Sequence, residues 1–254
     1  MKKIVSLIED KKTENNCECC KKWGTGDIVN SLIKQDVRSD MKKQKRGRPK
    51  KQIEVFLDKK HTVMSRFYDL MDQNISDAKM IKGMEKLISE DRDFLDPYLT
   101  IADILFSDNK DEQAALILKE AYERALMIIV DDQGRWPQEI PWGFLENRHI
   151  MRAIERQAIF YWETGKIDEA LCIFGKLLKV NPQDNQGVRY NILAIRMNLN
   201  IDEWEKPFEV QEDGKIIGLD GFKVYKWFEE NAPKFENDFK WLLDLYRSWD
   251  ADAS

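Results

Sequence analysis

Histidine is almost missing from this chain: its 254 residues include only His61 and His149. So sparse a supply leaves little material for histidine-based acid–base or nucleophilic chemistry. His149 stands beside Arg148 and Arg152 with no carboxylate in register to orient it, so it is expected at the surface or capping a helix. The familiar catalytic spellings are missing too. No Gly-x-Ser-x-Gly or His-Glu-x-x-His occurs, and Trp23-Gly24-Thr25-Gly26-Asp27 lacks the Gly-Lys-Ser/Thr that completes a phosphate loop. Acidic pairs such as Asp131-Asp132 are what 46 Asp and Glu produce by number. A non-enzymatic chain without a cofactor is expected.

Cysteine is scarce and badly spaced for a structural metal. Cys17, Cys19 and Cys20 crowd together with no second pair to complete a zinc set. They read as reduced thiols on an exposed arm, with metal binding or redox sensitivity as the alternatives. Cys172, between Leu171 and Ile173, reads as a small buried hydrophobe. Long apolar runs are missing as well. The opening Ile4–Ile8 stretch ends at Glu9, short of the roughly 7–15 residues of a secretory core. No window approaches the roughly 18 apolar residues of a spanning helix. A soluble protein with no membrane partner is expected, located in the cytoplasm, or in the nucleus of a cell that has one.

What is present is charge, unevenly placed. Residues 1–60 carry 17 basic and 9 acidic side chains, a balance of +8, while the remainder carries 24 and 37, or −13. Residues 1–60 therefore read as a basic, largely disordered arm, with one short helix after Gly26, and residues 61–254 as an acidic body. Within the arm, seven of the eleven residues from Met41 to Lys51 are cationic, and Gly47 and Pro49 oppose a helix. The run Lys45-Arg46-Gly47-Arg48-Pro49-Lys50 resembles an AT-hook. That resemblance implies Arg46 and Arg48 inserted in an A·T-rich minor groove, with the lysines on phosphates. A solvated linker or an import signal accounts for the same residues.

From Thr62 onward the apolar positions repeat at helical spacing. Met80, Ile81, Met84, Leu87 and Ile88 make one face after Ser76. Asp96-Pro97 opens a helix carrying Leu99, Ala102, Leu105 and Phe106. Residues 131–147, with Trp136 and Trp142 among prolines and glycines, form a connection apolar enough to fold back on the body. The segment around Asp213-Gly214 alternates as a β-hairpin. Phe235, Phe239, Leu242, Leu243, Tyr246 and Trp249 recur on one helical face suited to packing over an open end.

The span 151–182 is the most specific. Ile154, Ala158 and Tyr161 face inward before a reversal at Gly165. Ala170 and Phe174 return on the partner helix, and Pro182 stops it. These residues resemble a tetratricopeptide repeat, a helical hairpin of about 34 residues. Gln157 and Leu177 depart from the family pattern. Residues 95–128 resemble a second copy through Ala102, Asn109, Ala114, Leu118 and Ala121, and residues 185–206 a degenerate third. The Trp142–Arg148 and Asn181–Tyr190 runs also resemble a subgroup of bacterial repeat proteins, which carries no activity with it.

The resemblance implies an all-α fold: helical hairpins stacked as a short right-handed solenoid, a small β-hairpin insert, and a C-terminal cap over 207–254. It also implies a concave groove lined by first helices, here Arg152, Glu155, Ile159 and Trp162, then Arg189, Leu193 and Arg196. Three guanidinium forks beside Trp162 would suit an acidic protein or peptide segment; equally, the arginines could pair with local acids. A scaffold that binds a peptide is the leading expectation, and a DNA-associated protein held by its arm is the alternative.

Overall fold

The computed structural model describes residues 54–252, with the boundary between the chain's two units at Lys50/Lys51. The basic Lys45–Lys50 segment, the three clustered cysteines and the helix expected after Gly26 lie outside the described residues.

Ten α-helices and one two-stranded sheet are seen among the described residues: α1 (Met64–Met71), α2 (Asp77–Glu90), α3 (Asp96–Ser107), α4 (Asp111–Ile129), α5 (Leu145–Glu163), α6 (Ile167–Val180), α7 (Val188–Arg196), α8 (Ile201–Glu205), β1 (Glu209–Glu212), β2 (Lys215–Leu219), α9 (Gly221–Asn231) and α10 (Glu236–Asp252). None is long and apolar enough to cross a membrane. Consecutive helices from α1 to α7 pack on one another, and α3 also touches α5.

Small residues allow that close approach. Ala114, Ala121 and Ala125 of α4, Ala153 and Ala158 of α5, and Ala170 of α6 have no exposed surface. Larger side chains fill the space between: Phe174 and Ile154 are fully buried, and Val63, Phe67, Met84, Leu87 and Phe94 build the core at the α1–α2 end. Tyr161, expected inward, is half-buried, and Cys172 likewise remains half-buried on α6.

Helices α3, α5 and α7 end in the same way. Asn109, Gly165 and Asn198 each adopt a left-handed backbone, with φ of 58°, 79° and 58°. At each, the following N–H returns to a carbonyl five residues back: Lys110 to Leu105, Lys166 to Tyr161 and Leu199 to Ala194. This is the Schellman ending, which asparagine and glycine accept at least cost. Only Gly165 and Asn109 stood out in the sequence; Asn198 completes the set.

The hairpin forms where expected. Asp213 and Gly214, both at positive φ, turn β1 into β2, with an irregularity between Val210 and Gln211. Beyond it, Phe228 of α9 meets Phe239 of α10 edge-on at 5.1 Å, and Phe239 and Leu242 are fully buried. Of the aromatic stripe on the last helix, Phe239 thus meets α9, Tyr246 donates its hydroxyl to Pro182 O at 3.0 Å, and Trp249 stands at the exposed end.

Candidate functional site

Two polar assemblies stand out, and both use α5. The first fastens residues 54–61, which the charge pattern assigns to the arm, onto the helical body. Phe56 donates its N–H to Glu139 O at 2.9 Å. Fully buried Asn147 accepts the Asp58 N–H at 3.0 Å and donates to Phe56 O and Pro141 O, both at 3.1 Å. Beside it, Asp58 Oδ2 receives Nε2 of both His61 and His149 at 2.9 Å, and His61 Nδ1 donates to Asp91 Oδ2 at 2.7 Å. His149 has no exposed surface, so its expected surface or capping position is corrected. Its carboxylate partner lies 91 residues away in sequence, beyond any local spacing rule.

The electrostatics follow from this crowding. Burial works against ionised Asp58, but hydrogen bonds from His149 and His61 outweigh it and hold the carboxyl well below its ordinary range. Burial likewise opposes charge on His61, yet the Asp58 and Asp91 carboxylates prevail and hold its pKa above 6.5. His61 therefore bridges two carboxylates as a donor at both nitrogens.

Asp58, His61 and His149 bring ligand atoms within 4.8 Å of one another, a spacing that could hold a metal ion. The Asp91–His61 contact is the kind of outer hydrogen bond that supports a metal-bound imidazole. His149 argues the other way. Leu95 donates its backbone N–H to His149 Nδ1 at 3.2 Å, which places the imidazole hydrogen on Nε2, pointing at Asp58. A metal at that Nε2 would leave both nitrogens without hydrogen. The donor set does not fit an ion; the cluster is a latch.

The second assembly is a groove. A cavity of about 310 Å³ lies between α1, α3 and α5, and one of about 430 Å³ between α5, α7, α8 and the start of α9. They share Glu155 and Ile159, so α5 forms their common wall. Arg152 and Arg189, also expected here, line one cavity each.

Three of the seven expected groove residues fall elsewhere. Trp162 is buried, because its large indole follows Ala158 by one turn onto the packed face of α5. Leu193 is buried because α7 is packed by α6 on one side and α9 on another. Arg196 is turned to α10, where Asp238 accepts its Nε and Nη2 at 2.9 and 2.8 Å.

The guanidinium forks that remain in the groove are also occupied. Arg152 grips both oxygens of Asp96, Arg156 bonds Asp103, and Arg189 bonds Asp184. Asp184 further accepts the backbone N–H groups of Val188 and Arg189 at 2.8 and 2.9 Å, so the first turn of α7 closes around it. An acidic partner held by three open arginines is therefore corrected: internal pairing has used them. Glu155 takes its hydrogen bond from Gln186 rather than from an arginine, although the Arg152 and Arg156 charges also act on it. Burial raises its pKa to about 7, only partly offset by the hydrogen bond from Gln186 Nε2. Sequence reasoning overlooked Gln186, Asp184 and Tyr190 as lining residues, although the Asn181–Tyr190 run was visible as a motif.

Comparison with family models, with curated proteins and with solved structures finds no match.

Proposed function

We propose that the chain is a non-catalytic binding module that holds a peptide or protein segment along α3, α5 and α7. The observation that carries this reading is the pair of adjoining cavities meeting at Glu155 and Ile159. Clefts of a few hundred cubic ångströms with apolar walls and a few fixed polar groups are the usual form of a recognition site. The repeated ending of α3, α5 and α7 supports a tetratricopeptide-like stack, in which first helices line the binding face. The nearby arginines are tied to aspartates and the histidines to the latch, which leaves Glu155 and Ile159 as the groups facing a ligand where the cavities meet.

The test is direct. Random twelve-residue peptides displayed on phage and panned on the full chain should yield a motif that binds the parent but not Ile159→Arg, which fills the junction of the cavities. Equal binding to an Ile159→Arg variant of unchanged thermal midpoint would move recognition off the groove.

A second reading rests on Lys45-Arg46-Gly47-Arg48-Pro49-Lys50, which would tether the chain to A·T-rich DNA through the minor groove. Gel shifts on A·T-rich and G·C-rich duplexes, with the parent and with Arg46→Ala/Arg48→Ala, decide it. Equal binding by both proteins ends that reading.

A further inference from the structure

Resting on the groove reading, we infer that the bound segment is anchored by a basic side chain, lysine or arginine, seated at Glu155 where the two cavities join. The first ground is charge. The cavity walls carry Asp96, Asp103, Glu155, Asp184 and Glu205 against Arg152, Arg156 and Arg189, an excess of two acids. Pairing then removes the arginines. The forks of Arg152, Arg156 and Arg189 are each taken by an aspartate. A carboxylate on the partner would meet no guanidinium without an aspartate already on it and would face Glu155 as a like charge.

The second ground is an unmet acceptor. Gln186 turns its Nε2 to Glu155, which leaves its buried Oε1 with no hydrogen-bond partner. A buried acceptor without a donor keeps its desolvation penalty uncompensated. Flipping the amide relieves this only against a protonated Glu155; against the carboxylate its oxygen would face a second acceptor. A positively charged donor satisfies this oxygen and the glutamate together, while Arg189 Nε, a buried donor of the same cavity without an acceptor, suits a backbone carbonyl of the same segment. An ammonium or guanidinium group has several N–H bonds and no acceptor to clash with either oxygen. Its aliphatic stem suits Ile159, which lines both cavities next to Glu155.

The third ground is desolvation. Glu155 is already half-buried by the fold, so part of the usual cost of stripping a carboxylate on binding is met beforehand. An opposite charge brought to such a group gains more than it would at an open surface.

The experiment uses the full chain and synthetic twelve-residue peptides matching the panned motif, measured by fluorescence anisotropy. One position should be enriched in Lys or Arg, and replacing that residue by norleucine should weaken binding about tenfold. Glu155→Gln should weaken the basic peptide about tenfold and leave the norleucine peptide unchanged, while Glu155→Asp should retain preference for the basic form. Enrichment of acidic or wholly apolar residues overturns the inference. So does an equal effect of Glu155→Gln on both peptides. Those outcomes leave the groove reading standing if Ile159→Arg still abolishes binding; peptides that bind Ile159→Arg equally well refute the groove itself.

Discussion

Replacing Asp58 with alanine removes the one carboxylate that both histidines address. Its side chain is only 8% exposed, and the two histidine side chains are fully buried. Deleting one partner of such a pair leaves an uncompensated polar group and typically costs about 3–5 kcal/mol. In a domain of roughly 200 residues this corresponds to a fall in thermal midpoint of roughly 6–20 °C. The penalty must also depend on pH. The folded pKa of Asp58 is depressed, so its contribution is present above the ordinary aspartate value of 3.8 and is lost as pH falls towards the lower folded value. The folded pKa of His61 is raised, so its contribution is full below 6.5 and is lost as pH rises through the folded value. The difference between parent and Asp58→Ala should therefore be largest between about pH 4 and 6.5 and smaller at pH 9. Calorimetry at pH 5.5 and 9 measures it, and exchange of the Phe56 and Asp58 amides reports the local release. A variant within a degree of the parent at pH 5.5, or equally destabilised at both values, refutes the latch. A midpoint of the dialysed parent that rises with added zinc and falls back with chelator refutes the argument against a metal.

Two more predictions concern the groove. Glu155 has a folded pKa of about 7 against an ordinary 4.5, so the fold binds the extra proton and stability declines as pH rises between those values. After discounting for the solvent that reaches a half-buried group, Glu155→Gln should be more stable than the parent by about 1–2 kcal/mol at pH 8 and equal to it at pH 4. Urea titrations at both values check this; Asp184, Arg152, Arg156 and Gln186 are the neighbours whose charges or hydrogen bonds act on it. Arg189→Ala strips the cation from Asp184, whose side chain is 1% exposed, and should cost about 3 kcal/mol with loss of helical circular dichroism in proportion to α7. An unaltered urea midpoint would mean that Val188 and Arg189 N–H groups alone satisfy Asp184.

What the sequence made legible follows the range of the interactions concerned. Hydrophobic period and turn chemistry are local, so the helical spans, the Asp213-Gly214 reversal and the α5–α6 pair at Gly165 could be read residue by residue. Burial of Ala158, Ala170 and Phe174 followed from the same spacing. Polar partnerships are not local. Asp58 meets His149 across 91 positions and Arg156 meets Asp103 across 53, and no spacing rule carries such pairs. The cavities were therefore located through α5, while the choice between open and internally paired arginines stayed undecided, because counting arginines says nothing about which aspartates hold them. Trp162 failed for a different reason: a helix face predicted to within one residue still leaves a boundary position free to turn inward when its side chain is large.

Helix α5 explains why latch and groove occur together. Leu95 and Asp96 are adjacent, and they reach residues one turn apart on α5: the Leu95 N–H goes to His149 Nδ1, and the Asp96 carboxylate goes to the Arg152 guanidinium. Two consecutive positions thereby set both the axial register and the rotation of α3 against α5 at the mouth of the first cavity. The same Asp96 starts α3 in its first turn, where a negative charge is favoured by the helix dipole. His149 is in turn held by Asp58, so the strand-like segment 54–58 reinforces a contact that positions Leu99, Thr100 and Asp103 opposite Ile159. Residues 54–61 thus do more than join the basic arm to the body: fastening them completes the frame on which the first cavity is built.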